Sequence, residues 1–297
     1  MTDNKGHIEE EIWFSAISED ELAKYDKEAA FAAFRQRVNE SRNKQPMTKR
    51  LHWLRYAAAV VAIAAVGYFS FKGGQSNVES AMGNIVIEAP QGSRTQMTLP
   101  DGTKVWLNAG SRISYSQGFS LVNRLVMLEG EGYFEVAHNE QLPFSVNTDD
   151  VQVKVLGTKF NFRDYPTDAE AIVSLAEGKV AMNSLLCPTD EHLLRPGQRA
   201  TVDKQTGLIS IEEYEIANST QWTSGKLIFN GEPLQEIVKT LERSYNVRIT
   251  IDDKRLLLLC FHGDFLRQEQ SLNEVLDALA ATGKIRYKRN EKDITLY

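Results

Sequence analysis

The chain has 297 residues, 42% hydrophobic and 25% charged, a globular composition with room for about one to three domains. A formal net charge of −6 gives no basic footprint for nucleic acid, and no run of interleaved Lys/Arg and aromatics lies outside one basic flank, so direct nucleic-acid binding is not expected. The histidines at 7, 52, 138, 192 and 262 are scattered and no Cys-x-x-Cys pair occurs, so neither a metal nor a cofactor is expected.

Residues 1–50 read as two helices. "IEEEIWFSAI" puts Trp13, Phe14 and Ile17 on one side, and Ser18 with Asp20 and Glu21 opens a second segment carrying Leu22, Tyr25, Phe31, Phe34 and Val38 at near-helical intervals. So short a segment cannot bury that stripe on itself, so a partner is implied. The acidic charges of residues 9 to 28 favour a protein partner over an anionic lipid surface.

An apolar stretch follows. The 16 uncharged residues between Arg55 and Lys72 would make about 24 Å of helix, short of a ~30 Å hydrocarbon core. With Leu51, Trp53 and Leu54 added and the Arg55 head reaching the headgroups, the segment 51–72 extends to about 31 Å and spans. Trp53, Tyr56 and Tyr68 then sit where interfacial aromatics belong. A buried alanine-rich helix and a cleaved export signal are the competing readings. Arg37, Arg42, Lys44, Lys49, Arg50 and Arg55 precede the stretch with only Glu40 opposing, whereas residues 73–92 carry Glu79 and Glu88 and no Lys or Arg. The positive-inside rule therefore predicts a transmembrane helix with a cytoplasmic N-terminus and an exported remainder. An export signal would have a leader of a few residues, without the acidic groups found here.

Beyond a Gly/Ser/Asn linker the period changes to two. "TLPDGTKVWLNAGSRISYS" alternates Val105 and Leu107, then Ile113 and Tyr115, around a Pro100-Asp101-Gly102 turn, and reads as a hairpin. "RLVMLEGEGYFEVAHN", "FSVNTDDVQVKVLGTKFNFRDY", "AIVSLAEGKVAMN" and "QRATVDKQTGLISIEE" continue in the same manner, predicting an all-β domain at 84–213. From Lys226 a repeat emerges: Leu234, Ile237, Val238 and Leu241 fall at helical spacing, and Leu272, Val275, Leu276 and Leu279 repeat it 38 positions on. Each helix is flanked by strands, and Ser271 with Glu274 forms a capping box, predicting a small α+β domain of βαβ units at 226–297. Cys187 and Cys260 fall in different predicted domains and are expected as partly buried thiols, although an exported location would permit a disulfide.

No Gly-x-Ser-x-Gly, phosphate loop or His-Glu-x-x-His is present, and no catalytic constellation is found. Glu129 and Glu131 could share a strand face, but "EGEGYFEV" reads better as a glycine-relieved strand bend. One stretch, "VKVLGTKFNF", has latent chemistry: if a strained turn presents it, the Thr158 hydroxyl could attack the Gly157 carbonyl. Composition alone makes that dipeptide a turn or bulge.

Taken together, "LPDGTKVWLNAGSRISY", "LEGEGYFEVAHNEQLPFSVNT", "VKVLGTKFNF", "LAEGKVAM", "LRPGQRATV" and "LIFNGEPLQEIVKTLERSYNVRITID" resemble the FecR family of anti-sigma factors. The version resembled has a C-terminal domain similar to the short N-terminal domain of secretins and TonB-dependent receptors. The resemblance implies a non-enzymatic, single-pass inner-membrane regulator with its C-terminus in the periplasm. Its cytoplasmic segment is expected to bind an extracytoplasmic-function sigma factor, with Trp13, Phe14, Phe31 and Phe34 as candidate anchors. Its periplasmic part is expected to take a signal from the signalling domain of a TonB-dependent outer-membrane transporter. Self-cleavage at Gly157-Thr158 followed by periplasmic and intramembrane proteolysis is also implied, as in some family members. The alternative is a membrane-anchored periplasmic module for glycan or cell wall with no sigma partner, for which residues 1–45 would be dispensable.

Overall fold

The computed structural model describes residues 26–42, 59–70 and 83–297. The chain divides into two compact units, Met1–Gly74 and Gln75–Tyr297.

In the first unit, helix α1 spans Lys27–Arg42. Asp26 caps it, its carboxylate accepting from the backbone N–H groups of Glu28 and Ala29 at 3.1 and 3.4 Å. Asp26 itself is not helical, so the stripe of Phe31, Phe34 and Val38 belongs to a helix opened by Asp26; Ser18, Leu22 and Tyr25 lie outside the described residues. Helix α2 covers residues 59–70. Among the described residues no helix is long and apolar enough to cross a membrane. Of the predicted span 51–72, residues 59–70 are helical, and residues 51–58 and 71–72 lie outside the described residues, as do Trp13 and Phe14.

The second unit is mostly β. Strands β1 (Asn84–Ala89), β2 (Thr95–Thr98), β3 (Lys104–Leu107), β4 (Ser111–Ser116), β5 (Arg124–Glu135), β6 (Phe144–Asn147) and β7 (Val151–Val155) come first. They are followed by β8 (Lys159–Asp164), β9 (Glu170–Glu177), β10 (Val180–Ser184), β11 (His192–Leu194), β12 (Gln198–Asp203) and β13 (Ile209–Glu213). All thirteen join one hydrogen-bonded sheet, which β5 folds into two wings. Its first half pairs with β4 and, in parallel, with β6; its second half pairs with β3 and β8. The switch occurs at Gly130, at φ +102°, where a Cβ would lie 2.8 Å from the Ser111 Cα. The bend expected in "EGEGYFEV" is therefore real and needs glycine on two counts. It also separates the two carboxylates: Glu129 pairs with Arg112 at 2.7 Å, while Glu131 accepts from the Asn108 and Asn161 amides at 2.8 and 2.9 Å.

Alternation along the strands turns one side of both wings into a shared core. Phe134 of β5 stacks on Phe160 of β8 at 5.1 Å between ring centres and meets Phe144 of β6 at 6.2 Å. Each such ring contributes about 1.5–3 kcal/mol on burial. The Pro100-Asp101-Gly102 turn is tied to this core by a buried ion pair: Arg124 donates to Asp101 and to the Leu142 and Ala137 carbonyls.

A short helix α3 (Ile216–Thr220) and a 3-10 turn (Gln221–Ser224) lead to β14 (Lys226–Pro233), α4 (Leu234–Tyr245), β15 (Arg248–Ile251), β16 (Cys260–Leu266), α5 (Leu272–Ala281), β17 (Tyr287–Asn290) and β18 (Asp293–Leu296). β14 pairs with β16, and β15, β18 and β17 form a three-stranded sheet with β18 in the centre. The helical faces Leu234, Ile237, Val238, Leu241 and Leu272, Val275, Leu276, Leu279 fill a second core. The capping box at Ser271 and Glu274 is present, and Gly283 ends the helix region at φ +73°. Cys187 is half-buried and Cys260 exposed, and both are free thiols, so "partly buried" holds for Cys187 alone.

Candidate functional site

Three places bear on function. The first is the α1 face. Phe31 is 45% exposed and Phe34 58%, with the Arg35 guanidinium 4.9 Å from the centre of the Phe31 ring. Large aromatic side chains left exposed on a helix surface at i and i+3 form an apolar stripe. The other two candidate anchors, Trp13 and Phe14, lie outside the described residues.

The second is Gly157-Thr158, in the bend between β7 and β8. Thr158 is buried, and its hydroxyl donates to the Lys179 carbonyl at 3.0 Å. The segment 136–139 runs alongside: the Val136 N–H donates to the Thr158 carbonyl and the Asn139 N–H to the Leu156 carbonyl. Gly157 is not in the left-handed region; it is glycine because a Cβ would sit 2.8 Å from the His138 Cα. Gly178, at φ +95°, closes the other side, where its own Cβ would meet the Gly157 carbonyl and the Thr158 hydroxyl at 2.8 Å. Close packing by itself thus accounts for both glycines.

The third is the junction between the β domain and the βαβ repeat, which share one compact unit. Asp168, buried in the β9 approach, receives Arg243 of α4 through both carboxylate oxygens, with the Lys239 ammonium at 3.7 Å and Arg163 at 3.8 Å. Arg243 also donates to the Thr167 hydroxyl at 3.1 Å and lies 3.7 Å over the Tyr165 ring. Burial, foremost, holds the Tyr165 phenol far above its ordinary range. Backbone joins in: the Gly92 N–H donates to the Arg243 carbonyl at 2.8 Å, and Arg267 donates to the Gly92 and Ser244 carbonyls. Trp222, from the connecting turn, donates its indole N–H to Asn161 Oδ1 at 3.0 Å. Asn161 in turn donates to Glu131, beside the β5 bend. Arg94 donates to Asn108 at 3.0 Å, and burial, then the charge of Arg267, lowers its guanidinium below the usual value. The arrangement can fix or release one domain on the other; it contains no nucleophile aligned with a base.

Of the residues in this junction, sequence reasoning singled out Glu131 alone, and not as part of a domain contact. Trp222 carried the one available signal, a large aromatic in "STQWTSG", between two predicted domains where a free linker would be polar.

Two family models match the chain: one described as FecR protein over residues 85–181, the other as FecR, C-terminal, over residues 226–296. The chain is also similar to a candidate anti-sigma factor from Parabacteroides distasonis ATCC 8503, known from crystal structures at 1.65 and 2.50 Å. Each aligns at 36% identity with a TM-score of 0.66, covering 72% of this chain and 98% of that one. No curated protein matches.

Proposed function

We propose, because this chain belongs to the FecR family of anti-sigma factors, that its N-terminal segment captures an extracytoplasmic-function sigma factor. The observation that carries this reading is the exposed Phe31 and Phe34 stripe of α1. Trp13 and Phe14 complete the anchor set, and buried aromatics of this kind are worth about 2 kcal/mol or more each at an interface. Changing Trp13 and Phe34 together to Ala is expected to abolish sigma capture by a tagged fragment of residues 1–50 at undiminished protein level. Capture that persists at normal abundance overturns the assignment.

Segment 51–72 anchors the chain in the inner membrane with residues 1–50 in the cytoplasm and the β and βαβ domains in the periplasm. The signalling domain of a TonB-dependent transporter adds to an outer strand, β15 or β17, of the three-stranded sheet. Its preference for one arrangement of the Asp168 and Arg243 junction biases domain docking and thereby protease access, since a ligand shifts an equilibrium only by binding one state better.

Self-cleavage at Gly157-Thr158 belongs to the same proposal. The Thr158 hydroxyl leaves the Lys179 carbonyl and bonds to the Gly157 carbonyl carbon; the C–N bond breaks as the hydroxyl proton passes to the amine, leaving an ester. Water then releases the Gly157 carboxylate and restores the Thr158 hydroxyl. Purified wild-type chain is expected to separate into two fragments on a denaturing gel, and Thr158→Ala to run as one. That variant loses one hydrogen bond, worth about 1 kcal/mol, and stays folded. A single full-length wild-type band removes self-cleavage and leaves the capture proposal standing.

A further inference from the structure

The most exposed large apolar side chain among the described residues is Leu121, at 82%, and Val122 beside it is 45% exposed. Both stand at the tip of the turn that joins β4 to β5. The turn is firmly built. Phe119 is buried in it, meeting the Tyr115 and Phe144 rings at 5.3 and 6.1 Å between centres. The Ser120 N–H donates to the Asn123 carbonyl at 2.7 Å, and the Leu121 and Val122 N–H groups both donate to the Gly118 carbonyl, at 3.1 and 3.0 Å. Ser120 takes a left-handed conformation, φ +71°, which a residue other than glycine rarely adopts. A turn that buries Phe119 while holding Leu121 and Val122 out of the fold presents apolar surface to something else.

Its place in the chain points to what that is. β1 runs antiparallel to β4 with Asn84 opposite Ser116, and the Gln117 N–H donates to the Gly83 carbonyl at 3.2 Å, so the chain enters the β domain at the foot of this turn. Only residues 73–82 separate Gly83 from the end of segment 51–72, and so short a run spans at most roughly 36 Å. The βαβ repeat docks at the other end of the domain. Glu131, beside the bend at Gly130, reaches Trp222 through Asn161, and that bend lies about 20 Å along β5 from the turn. No charged side chain occurs from Gly83 to Ile87 or from Ile113 to Asn123, and the next one, Arg124, is buried against Asp101. Such a tip enters an interfacial layer without stripping water from a charge.

We propose that Leu121 and Val122 form a lipid contact: they enter the interfacial layer of the bilayer that holds segment 51–72, and so rest the entry face of the β domain on the membrane with the βαβ repeat turned away from it. The contact rests on the anchoring of that segment. It needs only the ~5–10 Å depth of the boundary between headgroups and acyl chains. A zwitterionic surface fits best, because the tip has no cation for anionic headgroups and the chain carries a net charge of −6.

The full chain in nanodiscs of palmitoyl-oleoyl-phosphatidylcholine, containing lipid with a nitroxide on the headgroup or on the acyl chain, tests this. An environment-sensitive dye is placed by Gln117→Cys at the foot of the turn, and in separate chains by Leu258→Cys, 75% exposed in the βαβ repeat, and by Ile63→Cys in segment 51–72. Each carries Cys187→Ser and Cys260→Ser. The headgroup nitroxide is expected to quench the dye at 117 about twofold or more and to leave the dye at 258 bright. Leu121→Ser with Val122→Ser, both at exposed positions, is expected to bring the dye at 117 to the level of the dye at 258. The acyl-chain nitroxide is expected to quench the dye at 63. Quenching at 63 with none at 117, or with as much at 258 as at 117, or with no change at 117 on the double substitution, overturns the lipid contact and leaves the anchoring standing. No quenching at 63 overturns both. A dye at 117 that shifts to the blue without being quenched assigns the tip to a protein surface, a second copy included, and likewise overturns the lipid contact.

Discussion

Gly130→Ala is expected to destabilise the β domain by about 4 kcal/mol, a large share of the ~5–15 kcal/mol that holds a domain together. Two independent costs add. At φ +102° an L-residue is strained, by about 1–3 kcal/mol. The new methyl would also lie 2.4 Å from the Ser111 Oγ and 2.7 Å from its Cβ, an overpacking worth a further ~1–3 kcal/mol. Ser111 cannot simply rotate away, because its Cα would stand at 2.8 Å and its hydroxyl accepts the Glu131 N–H at 2.8 Å. Gly132, two residues on, is the control: its conformation is ordinary, and an added Cβ meets the Phe134 ring at 2.9 Å. Thermal melts of both variants check the prediction. A Gly130→Ala chain that melts with the wild type, or above Gly132→Ala, would mean that β5 does not need the bend.

Asp168→Ala is expected to undock the βαβ repeat while leaving the β core intact. Breaking one side of a buried ion pair costs about 3–5 kcal/mol because the partner is stranded, and here Arg243, Lys239 and Arg163 all face the one carboxylate. The neighbouring contacts are polar: the Gly92 backbone bonds, the Arg267 bonds and the Trp222 indole bond. Such contacts exchange readily for water once the domain lifts. Limited proteolysis between Tyr214 and Gly225 is expected to become fast in the variant and slow in the wild type. Trp222, 8% exposed when docked, is expected to shift its emission to the red. An unchanged cleavage rate with unshifted emission would show that Asp168 does not hold the junction, and would remove the step on which a periplasmic relay through docking depends.

Local features were legible because their causes are local. The helical spacing of Leu234, Ile237, Val238 and Leu241, and its repeat from Leu272, places both C-terminal helices because amphipathic periodicity has one solution, an apolar face turned to a core. The Ser271 and Glu274 pair marks a helix start three residues wide, and the glycines of "EGEGYFEV" mark a bend in the strand that contains them. The cap at Asp26 was not singled out for a related reason: Ser, Asp and Asn compete for caps wherever they occur, and spacing alone does not choose among them.

The function-bearing arrangements depend on distance in sequence. Gly157-Thr158 was visible as a motif, but that its hydroxyl is held by Lys179 and its glycine is pressed against His138 follows from segments meeting at sequence separations of 21 and 19. Asp168 and Arg243 stand 75 positions apart, and Trp222 and Asn161 are separated by 61. By itself the sequence determined which segments are strands and helices, which faces are apolar, and where the chain must bend. Only the tertiary structure decided the path β11-β10-β7-β6-β5-β8-β9-β12-β13, the division of β5 between two wings, and the charges gathered at the junction. Pairing between strands is a choice among many registers of similar local energy, resolved by the single packing that buries every apolar face at once.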